Sequence, residues 1–275
     1  PKVSGLWKPS SQFLLRGSYS TGFRVPSFNQ IFNWVTESPY SGSDLADPVK
    51  CPGGVPNTTN PNCAFIRPNI WTGGTADLGP ETAKMMSLGV VLRPLPRWSL
   101  SVDWWDIKAD NTIQLLTLRQ LIDNAALFPE RFIRDSAGTV QVLDQRWINA
   151  GARKTRGVEF SLRGSIDMRG GNTLSLGFDG SLLLEKKEKL TKSAPWRASQ
   201  IGQFTFAGDL GLRWKHNAWL TLSNEDFSAT LTQIFRNGYQ NQALPGIAAG
   251  TVVRPGFNPR VEAYTTYNFS LTYLG

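Results

Sequence analysis

The segment from residue 156 to residue 184 constrains the fold most, because apolar and polar residues alternate along it on both sides of a short break. Side chains of a β-strand point to opposite faces with a period of two residues, so each half predicts a strand with one apolar and one polar face. The break at 167–171 contains two adjacent glycines, as a tight antiparallel turn requires. The apolar face comprises Val158, Phe160, Leu162, Leu174, Leu176 and Phe178.

The same alternation predicts eight strands in the whole chain. We expect them near residues 11–22, 82–93, 97–113, 140–166, 172–187, 208–222, 227–240 and 262–274. The links at 94–96, 167–171 and 223–226 are short, whereas those at about 23–81, 114–139, 188–207 and 241–261 are long. Outer-membrane barrels have short periplasmic turns and long extracellular loops in this way. We therefore predict an all-β chain that forms a transmembrane antiparallel β-barrel, with a short helix in the link at 114–139.

In such a barrel one face of each strand meets lipid and the other lines the interior. The six apolar residues of the opening hairpin are then lipid-facing. The predicted lumen-facing residues are Arg16, Asp103, Glu159, Arg163 and Asp179. Aromatic residues near the predicted strand ends are typical of an interfacial girdle: Tyr19, Trp98, Trp104, Trp214, Trp219, Phe227 and Tyr273. The alternative is an antiparallel sheet with one solvated face, which leaves the loop lengths unexplained.

Composition excludes some classes of function. The chain has 275 residues, is 40% hydrophobic and has no run near the roughly 18 apolar residues of a spanning helix. Its net charge is +8, but the basic residues are dispersed and the densest cluster, 185–189, carries its own acids, so we expect no nucleic-acid partner. Hydrolase and phosphate-loop motifs are absent, so we expect neither an enzyme nor a cofactor. The single histidine, His216, lies in an exposed-looking polar run, and we expect it to be structural or incidental and not catalytic.

Cys51 and Cys63 lie in the first long link at a spacing that allows a local disulfide, which indicates an oxidising compartment. Two cysteines without further cysteine or histidine nearby make a poor metal site. We expect the disulfide to hold the link at 23–81 in place, with a stabilisation of roughly 3 kcal/mol from restricting the unfolded chain. No signal peptide precedes the first strand, so we expect further sequence upstream.

Five stretches resemble, in order, motifs of the TonB-dependent receptors of the Gram-negative outer membrane. They are LLRGSYSTGFRVPSF at 14–28, LGPETA at 78–83, SVDWWDIKADNTI at 101–113, NAGARKTRGVEFSL at 149–162 and PWR at 195–197. The resemblance implies eight consecutive strands of a larger, 22-stranded barrel whose plug domain is absent here. It also implies a monomer in the outer membrane, in contact with its lipid and lipopolysaccharide.

The resemblance further implies TonB-dependent uptake of a scarce nutrient such as a ferric siderophore, haem or cobalamin. The TonB energy-coupling complex would be contacted through the missing N-terminal part. A passive porin or adhesin barrel and a soluble all-β binding module are the alternatives. Candidate ligand contacts lie in the long loops and near the outer rim: Trp34, Tyr40, Phe65, Arg67, Trp71, Arg197, Arg236 and Tyr239.

Overall fold

The computed structural model describes residues 1–204, 210–241, 256 and 258–273. Within these residues, nine strands form one antiparallel sheet in which each strand pairs with the next along the chain. We number only these strands: β1 (Lys2–Trp7), β2 (Phe13–Arg24), β3 (Glu81–Leu92), β4 (Ser99–Asp110), β5 (Ala152–Asp167), β6 (Thr173–Lys189), β7 (Trp214–Ser223), β8 (Phe227–Arg236) and β9 (Tyr264–Tyr273). No helix in this described part is long and apolar enough to cross a membrane.

The tight turns all lie at one end of the sheet. The turn between β5 and β6 is closed by the Met168 amide, which donates to the Asn172 carbonyl at 2.7 Å. Gly170 and Gly171 both have φ of 76° there, a left-handed conformation that glycine adopts without steric cost. The turns between β3 and β4 and between β7 and β8 are similarly short, so the links after β2, β4, β6 and β8 emerge at the opposite end.

The buried hydrophobic core lies in the loops and not on the main sheet. The links after β2 and β4, residues 25–80 and 111–151, pack together into one unit that we call the loop body. Its core is closed by Leu190, just beyond β6. The remaining core residues are Leu45, Ile70, Leu116, Leu121, Ile122, Phe128, Phe132, Val140, Leu143, Ile148 and Ala150.

A small four-stranded sheet organises the loop body. Its strands are, in spatial order, Thr36–Pro39, Asn69–Thr72, Val140–Asp144 and Phe132–Arg134. The two central strands are parallel and come from different links, so the sheet joins the two loops. The helices are short: Phe28–Phe32 and Leu118–Asp123, with single 3-10 turns at Pro61–Cys63, Ala125–Leu127 and Pro129–Arg131 and, in the β5–β6 turn, Arg169–Gly171. Both α-helices begin with a capping box, at Ser27 and Thr117.

Further short strands lie beside the main sheet. Ile113–Gln114 pairs with Ile148–Asn149, and Tyr239–Asn241 lies between Gln203–Phe204 and Arg260–Val261. The link predicted at 241–261 falls largely on residues 242–255 and 257, which lie outside the described residues.

The all-β antiparallel architecture predicted from the sequence is confirmed, with three corrections to the strands. A ninth strand, Lys2–Trp7, precedes the eight predicted ones. The strand predicted at 140–166 is shorter, because Gly151, at φ of 65°, breaks the extended chain and assigns 140–149 to the loop body. The strand predicted at 97–113 ends at Asp110, where Asn111 adopts φ of 59°.

Candidate functional site

The polar face of the main sheet is concave and carries a charged groove. Cross-strand pairing places residues of seven neighbouring strands, β2 to β8, in one row: Arg16, Gly89, Asp103, Glu159, Ser181, Lys215 and Arg236. Arg16 and Arg236, at the two ends of this row, line the same groove of about 550 Å³, so the sheet curves around its polar side. We call it the lumen groove; Ser161, Asp179 and Asn217 line it as well.

An ion pair crosses an intervening strand at one side of the lumen groove. Arg16 on β2 donates to both carboxylate oxygens of Asp103 on β4, at 2.8 and 2.6 Å. Gly89 on β3 lies between them in register, and a Cβ at this position would stand 1.9 Å from Asp103 Oδ1. The glycine therefore leaves the space through which the two side chains meet.

A second ion pair lies nearer the tight turns, with Asp179 one row and Arg163 two rows further along the concave face. Arg163 donates to both oxygens of Asp179 at 2.9 and 2.7 Å, and its guanidinium lies 4.3 Å from the ring centre of Trp219. A Cβ on Gly177 would stand 2.1 Å from this indole, so glycine again makes the contact possible. Trp219 is in register with Gly177 and thus lies on the concave face. The expectation that it belongs to an interfacial girdle is wrong, because alternation along β7 aims it inward.

The remaining charges of the row divide the lumen groove into an acidic and a basic part. Asp103 and Glu159 are direct cross-strand neighbours, and so are Lys215 and Arg236. Among the described residues, Glu159 and Lys215 form no ion pair. In the part of the chain that the structure describes, the Arg236 guanidinium donates to the His216 and Phe235 carbonyls and to Asn217 Oδ1, at 3.2, 2.8 and 3.2 Å. Like charges placed side by side destabilise a sheet. Asp103 is already paired with Arg16, so Glu159, Lys215 and Arg236 are the charges available for groups of opposite sign.

All five residues predicted to face the lumen lie on this concave face, and the six apolar residues of the β5–β6 hairpin lie on the convex face. Sequence reasoning did not single out Lys215 or Asn217. The signal was present in the alternation of β7, where Trp214, His216 and Ala218 share the other face.

The eight ligand-contact candidates are not brought together. Arg236 alone lines the lumen groove. Trp34 is 89% exposed on the loop body, while Arg67 stacks on Phe65 at 5.0 Å. Arg197 lies 3.5 Å from Glu188, and Tyr239 packs on the ring of Phe204 at 6.4 Å.

Two of these candidates are held inside the loop body. Trp71 Nε1 donates to Glu37 at 2.8 Å, and Arg146 lies over the Trp71 ring at 5.4 Å. The Tyr40 hydroxyl donates to Asp44, and burial together with this carboxylate raises the pKa of Tyr40 to about 12. These two side chains therefore serve the packing of the loops.

Buried ion pairs and the disulfide hold the loop body together. Arg134 donates to both oxygens of Asp47 at 2.6 and 2.8 Å. Burial alone would raise the pKa of Asp47, but hydrogen bonds from Arg134 and the Val49 amide outweigh it, so its pKa lies below the ordinary value. Cys51 and Cys63 form a disulfide and are both buried. In the described part of the chain, no three His, Cys, Asp or Glu side chains are grouped so as to hold a metal ion.

Known proteins resemble this chain at the level of the family and of the fold. The family model described as "TonB dependent receptor-like, beta-barrel" matches residues 1–274. No curated protein sequence matches the chain. A variant of the ferric enterobactin receptor PfeA of Pseudomonas aeruginosa is similar in structure, with a TM-score of 0.63, 12% identity and coverage of 99% of this chain and 32% of that one.

Two further solved structures show the same fold. The siderophore receptor PirA of Acinetobacter baumannii gives a TM-score of 0.61 at 14% identity, with 99% of this chain and 34% of that chain covered. The FrpB iron transporter of Neisseria meningitidis gives 0.52 at 12% identity, with 99% and 32% covered. The chain therefore spans about a third of the length of these structures.

Proposed function

Because the chain belongs to the family of TonB-dependent receptor-like β-barrels, we propose that the protein takes up a scarce nutrient across the outer membrane of a Gram-negative bacterium. The observation that carries this proposal is the charged lumen groove on the concave face of a sheet whose convex face is apolar. The family is one of transport receptors, and the proposed role requires no covalent chemistry. The convex residues, from Val158 to Phe178, would lie in the lipid.

The groove suits a ligand that is captured and then released. Its charges are displayed on a rigid sheet, so no ordering of long loops is needed to present them. Lys215 and Arg236 offer several N–H donors that have no carboxylate partner among the described residues, an arrangement that favours an anionic ligand through charge-assisted hydrogen bonds. A ferric siderophore, which is a metal chelate often carrying negative charge, is the first candidate. Haem and cobalamin are the next.

The loop body would form part of the outer mouth. Its disulfide, its small sheet and its own hydrophobic core make it a fixed structure above the long-loop end of the barrel. Exposed aromatic and basic side chains such as Trp34 and Arg67 could make the first contact with the nutrient. Energy for release would come from the TonB complex of the inner membrane.

Uptake by a deletion strain tests the proposal. Cells lacking the gene and complemented with the native-length protein should accumulate one class of labelled nutrient, with iron chelates, haem and cobalamin compared in parallel. Accumulation should stop when TonB is removed. Uptake that continues without TonB would favour a passive porin, and a protein that partitions into buffer without detergent would favour a soluble binding module.

A double substitution connects uptake to the lumen groove. Lys215→Gln with Arg236→Gln should weaken binding of an anionic chelate by at least about 100-fold, because hydrogen bonds to charged groups contribute about 1.5–3 kcal/mol each and two such groups are lost. Lys2→Gln with Lys8→Gln removes the same charge away from the groove and serves as the control. Equal affinity of the two double variants would remove the groove from the binding site.

A further inference from the structure

A row of lysines crosses four strands on the convex face. Cross-strand pairing places Lys84 of β3 opposite Lys108 of β4, Lys108 opposite Lys154 of β5, and Lys154 opposite Lys187 of β6. Directly opposed residues in a sheet have Cβ atoms about 4.5–5.5 Å apart, and like charges at that distance destabilise the sheet. The row therefore concentrates positive charge on a surface where an anion would stabilise the fold.

Carboxylates below the row neutralise only part of this charge. Lys154 Nζ lies 4.0 Å from Asp106 and 3.4 Å from Glu185. Arg156, one row nearer the tight turns, bonds the same Asp106 at 2.8 Å. Asp106 and Glu185 are in register with Arg156, one row nearer the tight turns than the lysines, and these contacts pair both carboxylates. The two carboxylates are also less exposed than the cations above them, so they hold Lys154 and Arg156 in position and leave the outer surface basic.

The two ends of the lysine row differ in how far nearby carboxylates neutralise their positive charge. Lys187 reaches Glu185 at 3.1 Å, and Lys108 reaches Asp110 at 3.1 Å. Lys84 is exposed and has no ion-pair partner among the described residues. With Arg156 included, the patch holds five cations against three carboxylates, which leaves an excess of two positive charges.

The row lies just above an apolar surface. Two rows nearer the tight turns, Leu88, Trp104, Val158 and Leu182 are in register on the same face. Leu88 is 53% exposed, whereas Trp104, Val158 and Leu182 are half-buried, so part of this apolar surface stays open. The convex apolar positions of β5, from Ile166 to Val158, span eight residue steps, or about 26 Å along the strand. At a tilt of about 40° this is roughly 20 Å along the barrel axis, close to the apolar band of about 25 Å in such barrels.

We propose that the lysine row binds the phosphate groups of a phosphorylated lipid of the outer leaflet, with its acyl chains on the apolar rows below. The inference rests on the proposed function only in placing the convex face in the outer membrane. The positive charge of the row and the apolar surface beside it together indicate which ligand binds. A free phosphate ion would use the lysines but leave Leu88 and Trp104 uncovered, whereas a lipid with a phosphorylated headgroup satisfies both.

Lipid binding to the purified native-length protein tests this site. Diphosphoryl lipid A is titrated into the detergent-solubilised protein and bound lipids are counted by native mass spectrometry, in parallel with the same lipid after removal of its phosphates. We expect the phosphorylated lipid to bind at least 10-fold more tightly. Lys84→Gln with Lys108→Gln should lower its affinity on the order of 10- to 30-fold, since each basic residue near an anionic lipid surface contributes about 1 kcal/mol.

Matched variants exclude indirect effects. Lys84→Arg with Lys108→Arg keeps the charge and should bind as the unsubstituted protein does. Lys8→Gln with Lys50→Gln removes two lysines elsewhere and should have no effect. Equal binding of the two lipids, loss of binding in the arginine pair, or equal affinity of the two glutamine pairs would each overturn the inference.

Competition and uptake measurements distinguish a lipid site from a free-anion site and from the nutrient site. Displacement of the lipid by millimolar inorganic phosphate would show a free-anion site and overturn the lipid assignment. Phosphate-dependent lipid binding without nutrient uptake would refute the proposed function alone. Uptake by a protein that shows no preference for the phosphorylated lipid would refute the lysine row alone.

Discussion

Replacing Leu162 by arginine tests which face of the sheet meets the membrane. Leu162 lies on the convex face of β5, five residue steps from Asp167 at the tight-turn end. Five steps correspond to about 17 Å along the strand and, at a tilt of about 40°, to roughly 13 Å along the barrel axis, which is near the middle of an apolar band of about 25 Å. An arginine at the midplane costs about 2–4 kcal/mol. The folding equilibrium should therefore shift about 30- to 1,000-fold toward the unfolded state.

The neighbouring position supplies the control. Ser161 lies on the concave face, directly opposite Asp179, so an arginine there enters a polar groove beside a carboxylate. Urea titration of the protein folded into lipid vesicles, followed by tryptophan fluorescence and by heat-dependent gel mobility, measures both variants. We expect Leu162→Arg to lower the midpoint strongly and Ser161→Arg to change it little. The reverse order would refute the assignment of the two faces.

Three further predictions concern the lumen groove and the loop body. Gly89→Ala should displace the Asp103 side chain, separate it from Arg16 and lower the urea midpoint. Gly5→Ala is the control, because a Cβ there would meet nothing within 4 Å. Equal midpoints for the two variants would contradict the role of Gly89. Since the folded pKa of Asp47 lies below its unfolded value, its stabilising contribution is complete above that unfolded value and is lost as the pH falls through the folded pKa. Amide-exchange protection of the Cys51 amide, which donates to the Asp47 carbonyl, should fall on acidification through that range, and Asp47→Asn should weaken this dependence. Cys51→Ser with Cys63→Ser should destabilise the loop body by roughly 3 kcal/mol, seen as faster proteolysis within residues 25–80; an unchanged cleavage rate would show that packing alone fixes the loop.

The strands of the main sheet could be predicted because they depend on local alternation. The loop body could not, since its small sheet pairs Asn69–Thr72 with Val140–Asp144, which are separated by about 70 residues and two main-sheet strands. Val140–Asp144 alternates as a barrel strand does, and only its distant partner and the break at Gly151 assign it to the loops. Tertiary pairing therefore overrode the local pattern at this place.

The lumen groove and the lysine row required register as well as pattern. Arg16, Asp103 and Glu159 could be assigned to a polar face from the sequence, but Gly89 gains its role only when β2, β3 and β4 are aligned. In β6 a register shift opposite Arg156 and Gly157 places Lys187 on the convex face, where uninterrupted alternation would have placed Lys186.

His216, expected to be structural or incidental, has a defined hydrogen-bonding environment. It lies on the convex face in a hydrogen-bonded chain: Trp214 Nε1 donates to its Nδ1 at 2.9 Å, and its Nε2 lies 3.2 Å from Gln233 Oε1. Gln233 Nε2 in turn donates to the Tyr267 hydroxyl at 3.0 Å. Polar groups that face hydrocarbon need such partners, so these contacts favour the structural alternative for the histidine.

The location of the hydrophobic core in the loop body bears on the sequence of events during biogenesis. Phe128, Leu121 and Ile122 can pack against one another, and so become shielded from water, before any lipid is present. In the described part of the chain, the convex residues of β5 and β6 have only lateral contacts, such as that of Phe178 with Trp214, and remain half-exposed; in the proposed outer-membrane location a bilayer would cover them. We therefore expect refolding to show an early phase whose rate is independent of lipid concentration, followed by a phase that accelerates with added vesicles. In the proposed outer-membrane location, a chaperone would then need to shield only the strands before insertion, because the loop body is already assembled.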